Sequence, residues 1–276
     1  KLFKWFGQLA GASGLLKLAG RCWAAPLDSF PATDNIQPLL DHVLLGALQG
    51  TWEGILGKGP LAIALSLGTP GHYRKVTALV FDQQAMPLAF AKVGCTPQAG
   101  RLIANERSAL ATLGSMTMHG AIIPALLGHG TTGPASWLLQ SALLTGSPSP
   151  LVLQKAHFDF LADIAKATMR RQPLHTTGIG DQLQSILKKP VLSIASGFEA
   201  GKPFITELIR GLRASGIEEM EKSWPTSAAH GDFAPWNMRL AEGRLAMFDW
   251  EYFLPEAPAG WDLLQFLFRV DHLIRR

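Results

Sequence analysis

The stretch from His230 to Glu251, HGDFAPWNMRLAEGRLAMFDWE, restricts what this chain can become more than any other part of it. Its middle, NMRLAEGRLAMFDW, has the pattern of a β-hairpin turning at Glu242-Gly243. Asn237 then opens the first strand and Asp249 closes the second. Paired strands lie roughly 5 Å apart, so these two oxygen-bearing side chains can reach one cation although they are far apart in sequence. Asp232 lies five residues before Asn237, in the preceding loop. Two carboxylates and an amide oxygen make a donor set suited to Mg²⁺, a hard ion that prefers oxygen ligands.

Phosphoryl transfer uses such an ion to bridge phosphates, and a carboxylate to take the proton of the attacking hydroxyl. His230-Gly231-Asp232-Phe233-Ala234-Pro235-Trp236-Asn237, followed by Asp249-Trp250-Glu251, resembles the signature of the aminoglycoside phosphotransferase and choline kinase family. Both the HxDxxxxN spacing and the downstream Asp match. The resemblance implies a two-lobed, protein-kinase-like α+β fold, with a β-rich small lobe and a helical large lobe. It also implies ATP and Mg²⁺ as cofactors and a small-molecule hydroxyl as acceptor. Carried over residue by residue, Asp232 is the catalytic base, Asn237 and Asp249 hold the metal, and His230 supports the loop. Glu251 stands where protein kinases carry Gly. Asp262, in Gly260-Trp261-Asp262-Leu263, resembles the family's Asp-Leu pair; it is expected either to support the catalytic loop or to cap a helix.

The ATP clamp is expected upstream. LAIALSL, VTALVFD and LAFAKV read as three strands of an antiparallel meander, and RLIANERSALATL has helical spacing. Alternation in LAFAKV puts Lys92 on the face of Leu88 and Phe90. A lysine on a buried face needs a partner, and Glu106, on the apolar face of the next helix, supplies one. The pair would hold the amine toward the nucleotide phosphates. Ser66-Leu67-Gly68-Thr69-Pro70-Gly71, between the first two strands, stands where the phosphate loop belongs. It is not GxGxxG, Pro70 has no N–H to offer, and an ordinary hairpin turn has the same composition. Ser66 and Gly68 are its candidate contacts. Gln140 to Leu143 is the expected adenine edge, with the backbone of Gln140 and Ala142 bonding the base.

The expected organisation is an extension of unknown role over 1–59, a small lobe over 60–140 and a large lobe over 141–276. In the large lobe, HFDFLADIAKATMRR places Phe158, Leu161, Ala162, Ala165 and Met169 on one helical face. The tail places Leu263, Phe266, Leu267 and Val270 on another. The chain stops 27 residues after Asp249, so the acceptor site is expected to be C-terminally incomplete and an apolar strip to stay uncovered.

Charge and cysteine content bound the partners. The formal charge is +4 without any Lys/Arg run, which argues against a nucleic-acid surface. No segment has the roughly 18 apolar residues of a membrane span. Lys17 and Arg21 interrupt the apolar start, which rejects an export signal and leaves a packed extension or a basic helix lying on a membrane. Cys22 and Cys95 form no disulfide framework, which suits the cytoplasm. Two other classes compete with an active kinase. One is a nucleotide-binding pseudokinase or scaffold. The other is a metal hydrolase using His230, Asp232 and Asp249, which lacks the further His ligands such sites usually show.

Overall fold

Alternating side chains build the first sheet. A computed structural model describes residues 47–59, 61–68, 71–143, 146–188, 207, 210–211, 214 and 220–271. The chain divides into two units, Lys1–Val152 with Pro235–Tyr252, and Leu153–Ala234 with Phe253–Arg276.

In the first unit, β1 (Ala62–Ser66), β2 (Val76–Phe81), β3 (Pro87–Gly94), β5 (Leu126–Thr132) and β6 (Ala135–Ser141) form an antiparallel sheet ordered β1-β2-β3-β6-β5. Val76, Ala78 and Val80, Ala89, Ala91 and Val93, and Ala135, Trp137 and Leu139 point to one face. Leu48 and Trp52 of α1 (Ala47–Leu56) complete that core. A boundary at 59/60 therefore cuts through a packed cluster. Residues 1–46, including the candidate membrane-surface helix, lie outside the described residues. On the other face lies α2 (Pro97–Gly114), which starts cleanly because Thr96 accepts a bond from the Ala99 N–H and Pro97 occupies its first turn.

Two local features depart from the simple alternation. Val80 pairs with Ala89 and Phe81 with Pro87, so Leu88 is an extra residue at a bulge. It packs on the α1 side, whereas Phe90 and Lys92 face the other way. The second feature is β5, whose Leu126-Leu127-Gly128-His129-Gly130 sequence reads as a loop. Close packing explains its glycines. A Cβ on Gly128 would stand 2.8 Å from Ile55 Cδ1, and one on Gly130 2.9 Å from the Trp137 ring. Gly130→Ala is thus expected to destabilise the chain by about 1–3 kcal/mol, measured as a lower urea midpoint with unchanged slope.

A second sheet, β4-β11-β10-β7, joins β4 (Ala121–Ile122), β7 (Ser147–Pro148), β10 (Met238–Ala241) and β11 (Arg244–Met247). The β10–β11 hairpin turns through Glu242 at φ 53° and Gly243 at φ 74°, the positive pair that a two-residue type I′ turn requires. β11 runs parallel to β4, and β10 pairs with β7. These ladders tie residues 235–252 to the first unit, so a single division at 140/141 does not describe the chain.

The second unit holds the antiparallel sheet β12-β9-β8, made of β8 (Arg170–Pro173), β9 (Ser223–Ala229) and β12 (Leu254–Pro258). Its described residues include the helices α3 (Lys155–Thr168), α4 (Gly178–Lys188) and α5 (Trp261–Arg269). The inward face of α3 is rotated from the expected one. Ala156, His157, Phe160 and Ile164 are buried, while Phe158 and Met169 are about half exposed. The Phe160 ring stacks on Phe233 at 5.4 Å, and Phe266 of α5 packs against Phe233 and His157, which selects that face. On α5, Phe266 and Val270 are buried as expected, but Leu264, Leu267 and Phe268 are exposed. No described helix is long and apolar enough to cross a membrane.

Candidate active site

Sheet register decides what the first unit can bind. Lys92 lies opposite Thr77 on β2 and Leu138 on β6, on the face away from α1. Its ammonium is covered, yet it is satisfied. Nζ lies 2.7 and 2.6 Å from the two Glu106 oxygens and 2.6 Å from Asp249 Oδ1. An ammonium has three donors, and all three are committed. Burial alone would lower the Lys92 pKa; the carboxylates of Asp249 and Glu106 outweigh it and hold the group above the ordinary lysine range. Glu106 itself is fully buried on the inner face of α2.

The hairpin delivers Asp249. Phe248 N–H donates to the Asn237 carbonyl at 3.1 Å, one step beyond the last ladder pair, Met238 with Met247. Asn237 and Asp249 therefore sit side by side at the open end of the hairpin. Asp249 has φ 70°, a conformation uncommon outside glycine, and its bond to Lys92 contributes to holding it there. Glu251 follows in a short 3-10 turn and ion-pairs with Lys75, at the entrance to β2. Oxygens of Glu106, Asp249 and Glu251 lie within 4.8 Å of one another. That all-oxygen set fits a hard divalent cation.

Lys75, Lys92, Asp249 and Glu251 line a cavity of about 570 Å³ belonging wholly to the first unit, whereas Glu106, behind Lys92, and Asn237 are not part of its lining. Ser66 and Gly68 reach its wall. Gly68 has φ 64°, and a Cβ there would lie 2.5 Å from the Lys75 carbonyl. Thr69 and Pro70 fall outside the described residues. In the expected base-binding run, Gln140 is paired within the sheet, Ser141 N–H donates to Ala125 O, and Ala142 N–H donates to Leu88 O. Gln140, Ser141 and Leu143 line the cavity.

In the second unit, α5 braces the loop that carries Asp232. Asp262 accepts from the His230 N–H at 2.7 Å and the Gly231 N–H at 3.1 Å. Gln265 accepts from Phe233 N–H and donates to the Gly231 carbonyl at 2.8 Å. The helix cap is Gly260, so Asp262 supports the loop and does not cap α5. His230 is buried, and its Nδ1 accepts from the Asp232 N–H at 3.2 Å, a supporting position. Arg269 Nη2 stands 3.0 Å from Asp232 Oδ1. Sequence reasoning misses Lys75, Gln265 and Arg269, because no local pattern marks a partner that a distant element brings in.

Burial raises the Asp262 pKa to about 6, against the pull of its two backbone bonds. A folded-state pKa above the ordinary value of 3.8 means that the folded chain holds this proton more tightly. The resulting stability is complete below pH 3.8 and is lost as pH rises through about 6. On the order of 2–3 kcal/mol is at stake. The Asp262→Asn variant should lack this component, seen by comparing its urea midpoints with the parent's between pH 4 and 7.

The five-stranded sheet with α2, the hairpin and the braced loop define a protein-kinase-like α+β fold, of the kind used by small-molecule phosphotransferases. The chain is similar in structure to the GDP and kanamycin complex of APH(2")-IIia, with a TM-score of 0.52 and 12% identity, over 80% of this chain and 77% of that one. It is similar to the GDP complex of a mutant aminoglycoside 2'-phosphotransferase-IIIa, also at 0.52 and 12%, over 84% and 75%. A putative fructosamine-3-kinase from Haemophilus somnus gives 0.48 and 12%, over 84% of each chain. No protein-family model and no curated protein matches the sequence.

Proposed function

We propose that this chain is an ATP- and Mg²⁺-dependent phosphotransferase that moves the γ-phosphate of ATP to a hydroxyl of a small molecule. The observation that carries the reading is the buried Lys92 ammonium, held by Glu106 and Asp249 on the wall of a cavity large enough for a nucleotide. Lys92 turns to the phosphates once the metal draws Asp249 away from it, and Glu106 fixes the amine. Asp249 and Asn237 would hold the metal; Asp249 lies in an oxygen-rich set with Glu106 and Glu251, which suits a hard divalent cation. Bound Mg²⁺ would neutralise phosphate charge. Asp232 accepts the proton of the attacking hydroxyl, and Asp262, Gln265 and His230 hold its loop in shape. The fold shared with proteins named as aminoglycoside phosphotransferases supports a small-molecule acceptor.

One observation favours the second reading, a nucleotide-binding protein without turnover: the Asp232 carboxylate is already paired with Arg269. An ATP-consumption screen across hydroxylated small molecules, with Asp232→Ala as the blank, separates the two. Acceptor-dependent turnover above the blank supports the kinase. Nucleotide binding with no turnover on any acceptor supports the scaffold.

A further inference from the structure

The β1–β2 loop of this pocket departs from the usual phosphate-loop sequence. Its sequence lacks the GxGxxG pattern, and Pro70 contributes no N–H. The residues at the end of the loop are more informative. Arg74 Nε donates to the Leu67 carbonyl at 3.2 Å and Arg74 N–H to the Gly71 carbonyl at 3.0 Å, which pins the neck of the loop. The next residue, Lys75, turns its side chain into the cavity. That side chain is 14% exposed and ion-paired with Glu251. Lys92 is a near neighbour, because the carboxylates that the two ammonium groups pair with, Glu251 for Lys75 and Glu106 and Asp249 for Lys92, have oxygens within 4.8 Å of one another.

The two lysines differ in what they have left to give. Lys92 has committed its three donors to Glu106 and Asp249. Among the described residues, Lys75 has one carboxylate partner, Glu251. Both ammonium groups pair with carboxylates of one cluster, Glu106, Asp249 and Glu251, and the divalent cation that a nucleotide would bring competes for those oxygens, which frees Lys75 to bond the polyphosphate that arrives with it.

We infer that Lys75 is a second phosphate-binding lysine: in the loaded pocket it grips the nucleotide polyphosphate beside Lys92, from the last position of the β1–β2 loop. Glu251 keeps the ammonium in place until the nucleotide arrives. This assignment rests on the nucleotide reading above and goes beyond it, since the resemblance gives Lys92 alone that task.

Equilibrium binding of ATP and of adenosine to the full chain tests it. Lys75→Met should weaken ATP binding roughly tenfold or more, the scale of one lost charge-assisted hydrogen bond, and leave adenosine binding unchanged. Lys75→Arg should recover most of the loss. ATP affinity equal to the parent's overturns the assignment, as does an equal loss for ATP and adenosine, which marks a structural role. If the parent chain binds neither ligand, the nucleotide reading itself has failed and the assignment falls with it. Should Lys75→Met not fold, acylation of the unaltered chain decides: ATP must protect Lys75 from an amine-directed reagent more than adenosine does, and equal labelling refutes the proposal.

Discussion

Asp232→Asn is expected to lower turnover by about 10²–10⁴-fold, the range for losing a general base, while leaving Mg²⁺-ATP affinity unchanged. The residue lies on the loop braced by α5, outside the nucleotide cavity. Asp249→Asn should do the reverse first. It removes an anionic oxygen from the Glu106, Asp249 and Glu251 cluster and one of the three partners of Lys92. Affinity for Mg²⁺-ATP should therefore drop before any effect on the chemical step can be seen. Nucleotide titration of both variants, alongside single-turnover rates, separates the roles. Equal loss of nucleotide affinity in the two variants contradicts the division of labour.

The second large effect is on stability. Lys92→Met should cost about 3–5 kcal/mol, the usual result of stripping one partner from a buried ion pair. Glu106 is fully buried, and Lys92 takes both of its oxygens. Glu106→Gln should cost less, because Asp249 still neutralises Lys92. The variants also differ in pH response. Once Lys92 is gone, burial favours the protonated form of Glu106 in the folded state, so the Lys92→Met chain should regain stability as the pH falls. Combining Lys92→Met with Glu106→Gln should remove that dependence. Chemical denaturation at several pH values measures all three, and equal costs for the two single variants would refute the argument.

Features with a short-range physical signature can be read from sequence. The Glu242-Gly243 turn announces itself through Gly243, which tolerates positive φ, and the alternation around Lys92 gives its orientation. The partnership of Lys92 with Glu106 follows from the cost of an unpaired buried charge. The remainder depends on tertiary packing. Leu88 looks in register until the β2–β3 bulge turns it over. Strand β5 reads as a Gly-rich loop, because what its glycines accommodate, the side chains of Ile55 and Trp137, is remote in sequence. In α3 more than one face is apolar enough to be inward, and the Phe233 and Phe266 rings decide which one is. In the expected adenine edge, Ser141 and Ala142 give their N–H groups to Ala125 and Leu88, partners that no local pattern reveals.

The hairpin between Asn237 and Asp249 also acts as a ruler. Its two-residue turn fixes a one-to-one pairing from Ala241 with Arg244 to Met238 with Met247. Strand side chains alternate with a period of two, so one residue inserted into β10 or β11 would turn everything beyond it to the opposite face. Asp249 would then leave Lys92. Two residues added as a matched cross-strand pair would lengthen the hairpin and restore the opposition of its ends. Length change here is thus quantised, and tolerated insertions should come in balanced pairs or outside 237–249 altogether.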